Sequence, residues 1–184
     1  MKKILTIVCI LIYTSIFSQK TIPSINLTTL KGKSVNIEKE ISKDKITVLS
    51  FWATWCVPCI NELDVIMETY EDWQDETGVE IIAISIDDSR TQKRIKPLVN
   101  GKDWDYKILI DKNQELKRML NISVIPHVVI LKGSKILYRH TGYAPGAEDE
   151  LYKKIKEFSM FKILESFVKQ NVLSPYTHPY IFGF

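Results

Sequence analysis

Cysteine is scarce in this sequence, with three in 184 residues, at positions 9, 56 and 59. That excludes a scaffold stapled by several disulfides, and a chain of this length builds a core without staples. Glycine and proline number seven each, too few for a collagen-like or low-complexity chain. Charge of one sign is missing as well. The 25 Lys and Arg face 22 Asp and Glu, a net charge of +3, which provides no electrostatic basis for a nucleic-acid partner. Three scattered histidines with two or three cysteines supply a four-ligand structural zinc site poorly. The longest apolar run is Ile4–Phe17, 14 residues broken only by small hydroxyl residues and Tyr13. A helix needs roughly 20 to cross a bilayer.

That run follows Met1-Lys2-Lys3 and has the charged start and apolar centre of a secretory signal. Residues 1–18 are expected to be removed after Ser18, although Ile16 departs from the small residue favoured three places before a cut. Cys9, Lys2 and Lys3 would leave with them, and the net charge falls from +3 to +1. The alternatives are an uncleaved anchor, or a lipid on Cys9, for which the preceding Val8 is a poor context. Removal leaves Cys56 and Cys59 in a compartment where disulfides persist.

The remaining sequence alternates strand and helix patterns. Ile25 to Thr28, the turn Lys31-Gly32-Lys33, then Val35 and Ile37 read as a hairpin. Ile46–Trp52 is a short β-branched and aromatic run, the pattern of a strand buried on both faces. From Pro58 to Thr77, Ile60, Leu63, Ile66, Met67, Tyr70 and Trp73 recur at helical spacing, with Gly78 as the stop. Val79–Ile86 is a second buried strand, followed by a polar helix over Ser89–Val99. Lys107–Ile110 reads as a strand, Gln114–Leu120 as a short helix, and Ile125–Leu131 with Lys135–His140 as a strand pair. A last helix spans Glu148–Val168. This order predicts an α/β fold with a central mixed sheet.

The chemistry is concentrated in Trp55-Cys56-Val57-Pro58-Cys59, at the junction of strand and helix. Two cysteines at this spacing can close a small disulfide ring. A thiol that opens a helix faces unpaired N–H groups and the positive end of the helix dipole, both of which stabilise thiolate. Lowering a thiol pKa from about 8.5 to about 7 raises the thiolate fraction at pH 7 from about 3% to about half. Cys56 then attacks a partner disulfide, and Cys59, one turn further in, resolves the mixed disulfide. Pro58 starts the helix without forfeiting a hydrogen bond. A metal site or an inert disulfide is the competing reading.

With its preceding strand and following helix, FWATWCVPC resembles the thioredoxin fold, and within it the exported TlpA/ResA-like branch. The resemblance runs from about Pro23 to Phe158, taking in the LTTLKGKSV hairpin, an insertion around Ser89–Trp104 and VIPHVVILKGSKILYRHTG. It implies a periplasmic or cell-surface thiol–disulfide oxidoreductase, with an N-terminal β-hairpin extension on the thioredoxin-like sheet. It further implies a cis peptide before Pro126, facing the disulfide, with Ile125 presenting backbone groups to a substrate strand. Glu62, three residues after Cys59, is implied to influence proton traffic at the cysteines; a solvated first-turn carboxylate is the alternative. Trp55 is expected to shape the partner groove and Trp52 to lie in the core.

Three residues depart from the resemblance. Ser50 replaces the buried aspartate of cytosolic thioredoxins and cannot act as an acid or base. Asp64 stands where the branch commonly has a helix-bending proline, so a straighter helix is expected. His127 replaces a threonine and, with Cys56 and Cys59, raises the alternative of copper delivery; packing is the commoner role of a strand histidine. No Pro-x-x-x-Thr-x-x-Cys loop precedes Cys56, which disfavours peroxidase chemistry.

The expected organisation is a signal peptide (1–18), a thioredoxin-like domain (19–170) and an aromatic tail (171–184). The expected function is exchange of a dithiol for a disulfide in protein substrates by an exported monomer without cofactor or resident metal. Reduction is the direction implied, fed by a membrane thiol relay as electron donor. An exported disulfide oxidase or isomerase shares every motif and is the leading alternative.

Overall fold

A computed structural model describes residues 21–172, with side chains described through Met160. The segment 1–18 and tail residues 173–184 lie outside the described residues. Seven strands form one mixed sheet, in the order β2-β1-β5-β4-β3-β6-β7. They are β1 (Asn26–Thr29), β2 (Ser34–Asn36), β3 (Ile46–Trp52), β4 (Glu80–Ser85), β5 (Lys107–Ile110), β6 (His127–Lys132) and β7 (Lys135–Thr141). The helices are α1 (Ile37–Glu40), α2 (Val57–Thr77), α3 (Ile95–Gly101), α4 (Glu115–Met119) and α5 (Ala147–Val172).

β3, β4 and β5 run parallel, while β6 pairs antiparallel with β3 on the other side. All seven residues of β3 are buried, because the strand is flanked by neighbours at both edges and covered on both faces. β1 adds antiparallel to β5, so the expected hairpin extends the main sheet. Gly32, at φ 80°, makes the turn between β1 and β2 that a side chain would strain.

α2 and α5 pack together through the stacked rings of Trp73 and Tyr152, whose centroids are 5.0 Å apart, and through Lys156 and Glu76. α2 runs unbroken to Thr77 and ends at Gly78, whose left-handed backbone returns its N–H to the Gln74 carbonyl at 2.8 Å. Asp64 has a clear local task. It accepts from the Trp104 indole at 2.9 Å and pairs with Lys102, tying the inserted segment to α2. Trp104 in turn meets Trp52 edge-on at 5.1 Å, and Trp52 is fully buried, as expected.

Four local readings are corrected. The second hairpin arm stops at Asn36, whose side chain accepts from the Glu38 N–H at 3.0 Å and starts the short α1. The expected helix over Ser89–Val99 begins later, as a 3-10 turn at Gln92–Arg94 followed by α3. Asp88 holds its beginning in a turn by accepting from both the backbone and the guanidinium of Arg90. Ile125 and Pro126 lie ahead of β6 rather than inside it, and α5 reaches four residues beyond the Val168 expected.

Candidate active site

Cys56 and Cys59 are joined by a disulfide, with Cα atoms 5.3 Å apart. Cys56 is the N-cap of α2, in extended conformation, and Pro58 sits in the first turn. The Cys56 N–H donates to the Ala53 carbonyl at 3.0 Å, while its own carbonyl accepts from Ile60 at 3.1 Å. The sulfur of Cys56 therefore stands where α2 has free N–H groups. Cys56 is 6% exposed and Cys59 is fully enclosed, an asymmetry that gives an incoming partner only the first. Trp55 and Val57, on either side of Cys56, are more than half exposed.

The Ile125–Pro126 peptide is cis. Phe51 is opposite His127 in the antiparallel register, so Pro126 falls level with Trp52, the last residue of β3, at the pole of the sheet where the chain turns into the Cys56 loop. Its carbonyl accepts from the Gly142 N–H at 2.8 Å.

Glu62 is buried, at 3% exposure. Burial pushes its carboxyl up to about 7, with the negative charge of Glu148 adding to the rise and a hydrogen bond from Ser50 opposing it. The Ser50 hydroxyl donates to Oε2 of Glu62 at 3.4 Å. Ser50 therefore stands beside an acid without being one.

A second carboxylate escaped the sequence reading. Asp87, fully buried, accepts from the Thr54 N–H at 2.9 Å, the Thr54 hydroxyl at 2.7 Å and the Ser85 hydroxyl at 2.8 Å. It clamps the Ala53-Thr54-Trp55 loop that carries Cys56. The available signal was its place just past a buried parallel strand, where such sheets gather functional groups.

His127 lies on the other face of the sheet. Strand alternation turns Ser50 and Val128 toward α2, and Phe51 and His127 away from it. Its Nδ1 is 2.7 Å from the Thr141 hydroxyl, and its ring meets Phe51 edge-on at 6.5 Å. Burial, with the positive charge of Arg139 and the nearby His140, pushes it down to about 4. Among the described residues, no three His, Cys, Asp or Glu side chains gather as a metal-holding group.

Comparison with known proteins places this geometry. Residues 19–141 match the model of the AhpC/TSA family. A thiol-disulfide oxidoreductase ResA of Bacillus thuringiensis subsp. konkukian is 31% identical over 136 residues, covering 73% of this chain and 76% of the relative. A thioredoxin-like protein from Porphyromonas gingivalis, solved in solution, superposes with a TM-score of 0.68 at 44% identity, over 77% of this chain and 94% of its own. StoA from Bacillus subtilis shares the fold at a TM-score of 0.58 and 20% identity, over 73% and 98% of the two chains. A redox-spaced cysteine pair at a helix start and a mixed sheet with a cis-proline at the same pole accord with these likenesses: the chain belongs to the AhpC/TSA family, and to its ResA-like, thioredoxin-fold thiol–disulfide oxidoreductases.

Proposed function

We propose that this protein is exported, acts as a monomer and reduces disulfides in protein substrates, receiving electrons from a membrane thiol relay. The observation that carries the reading is the layered site: Cys56 at the surface end of α2, Cys59 enclosed beneath it, and Glu62 buried one turn further in.

The Cys56 thiolate attacks a partner disulfide. One partner sulfur leaves as thiolate and the other joins Cys56 in a mixed disulfide. Cys59 then gives its proton to the Glu62 carboxylate and attacks the Cys56 sulfur, which releases the second partner thiolate and closes the Cys56–Cys59 disulfide. A carboxyl lifted to about 7 is half ionised at neutral pH, so it can take this proton and return it. Trp55, Val57, Ile125 and Pro126 border the place where the partner chain is held. Export rests on the charged start and apolar run of residues 1–17, and the reducing direction on likeness to ResA.

The test is the reduction potential of the Cys56–Cys59 pair, set by equilibration in dithiothreitol and glutathione buffers. A value near about −270 mV or lower supports the reductant. A value near about −120 mV makes the protein a disulfide donor and overturns the direction.

A further inference from the structure

The buried acid has a second side. Behind Glu62, between β7 and α5, is a cavity lined by Glu62, Val128, Tyr138, His140, Ala147 and Glu150. It has room for about one water molecule and polar groups to hold it, the two conditions an internal water requires. Glu62 is almost fully enclosed, whereas His140 is half-buried and Glu150 exposed, so the cavity connects the interior carboxyl to the surface of the domain.

We propose that His140 is a proton-relay residue: it carries the proton of Glu62 to and from solvent through this cavity while a partner covers the front of the site. The proposal rests on the reading of Glu62 as the base for Cys59. A docked partner lies over Cys56, Trp55 and Val57, and Cys59 is already enclosed. The proton that Glu62 takes from Cys59 then has no aqueous exit on that side. On the other side it passes from the carboxyl to the cavity water, and that water gives a proton to one imidazole nitrogen of His140. The other nitrogen releases a proton to bulk solvent, and the reverse sequence reloads the acid; no electrons move in either direction.

The charged groups around this route act in both directions. Glu148 and Glu150 of α5 draw a proton toward the surface, while Glu148, by raising the carboxyl of Glu62, also strengthens its hold on the proton. Tyr138 is held on Glu150 at 3.5 Å, and burial with that carboxylate raises its pKa, which makes it a poor carrier. Tyr143 is likewise raised, by burial and by Glu148. Ser50, the β3 residue opposite Val128, donates to Glu62 on the same face of the sheet.

The experiment is steady-state reduction of a disulfide peptide by the full chain in dilute phosphate, with dithiothreitol as the electron source, with and without added imidazole. His140→Gln is expected to slow turnover on the order of tenfold, less than the roughly hundredfold or more that loss of an acid–base group costs. Imidazole is expected to restore it, while the reduction potential and the alkylation rate of Cys56 stay at wild-type values. Ala147→Leu fills the cavity without replacing a titratable group; it is expected to slow turnover similarly and to resist rescue. Wild-type turnover in His140→Gln, or slow turnover that imidazole does not lift, overturns the relay. Glu62→Gln separates the two readings. If it abolishes the pH dependence of turnover while His140→Gln changes nothing, the base stands and the relay falls. If the pH profile is unchanged in Glu62→Gln, the base falls and takes the relay with it.

Discussion

Glu62 and His127 impose opposite pH dependences on stability, and removing one should expose the other. Glu62 rises from 4.5 to about 7 on folding. Between those values the unfolded chain has lost a proton that the native protein still holds, so stability falls as pH rises. At about 1.4 kcal/mol per pH unit, the loss above pH 7 relative to below pH 4.5 is about 3 kcal/mol. His127 falls from 6.5 to about 4. Here the unfolded chain holds a proton that the native protein has shed, and stability rises with pH across that window by about 3 kcal/mol. The two slopes nearly cancel between pH 4.5 and 6.5. Urea unfolding of the oxidised protein, followed by tryptophan fluorescence, should therefore show a nearly level profile there for this pair. Glu62→Gln should remove the falling slope, so that its stability relative to wild type grows by up to about 3 kcal/mol from pH 4 to pH 8. Every other titrating group is common to both proteins and drops out of that difference. A difference profile that is flat across this range would falsify the burial assigned to Glu62 and the pKa built on it.

The cysteines should separate cleanly. Cys56→Ser is expected to abolish insulin reduction, whereas Cys59→Ser should accumulate a mixed disulfide with the partner, seen as a reducible band on a non-reducing gel; full activity in both would end the mechanism. Asp87→Ala leaves the Thr54 N–H and two hydroxyls without their acceptor and is expected to cost about 2–4 kcal/mol in urea unfolding. Asp87→Asn keeps an oxygen acceptor for Thr54 and should lose less; equal losses would mean that the charge, not the bonds, holds the loop.

The parts of the fold legible in the sequence are those whose cause is local. Ile46–Trp52 and Lys107–Ile110 have the bounds expected of them, because each is a short, mostly apolar run rich in β-branched or aromatic residues, and its neighbours end it. The cysteine pair is legible for the same reason, since spacing and helix start are adjacent in sequence. α1 escaped because four residues carry no periodicity, and only the Asn36 side-chain bond reveals it. Ser89–Val99 misled because Asp88 competes for the backbone that a helix would have used. The deeper layer of the site was out of reach. Ser50 meets Glu62 across 12 positions, and Asp87 meets Thr54 across 33. Such contacts exist only once β3, β4 and α2 are assembled. Glu62 could be placed on the right helical face, but its near-complete burial depends on α5, more than 80 residues later.

The described chain enters the domain far from its chemistry. Thr21 bridges to Lys135, and the Ile22 N–H donates to the Ser134 carbonyl at 2.8 Å. This is the turn between β6 and β7, at the end of the sheet where Ile46 pairs with Lys132. The disulfide stands at the other end, beyond the Phe51–His127 pair. Were residues 1–18 kept as an anchor rather than removed, a tether ahead of Thr21 would thus hold the domain by its base, with Cys56 pointing away from the surface that holds it. Soluble clients would find the disulfide presented to them. An electron donor embedded in that same surface would reach it only when the whole domain tipped over, so the length of the tether would set how often recharging occurs.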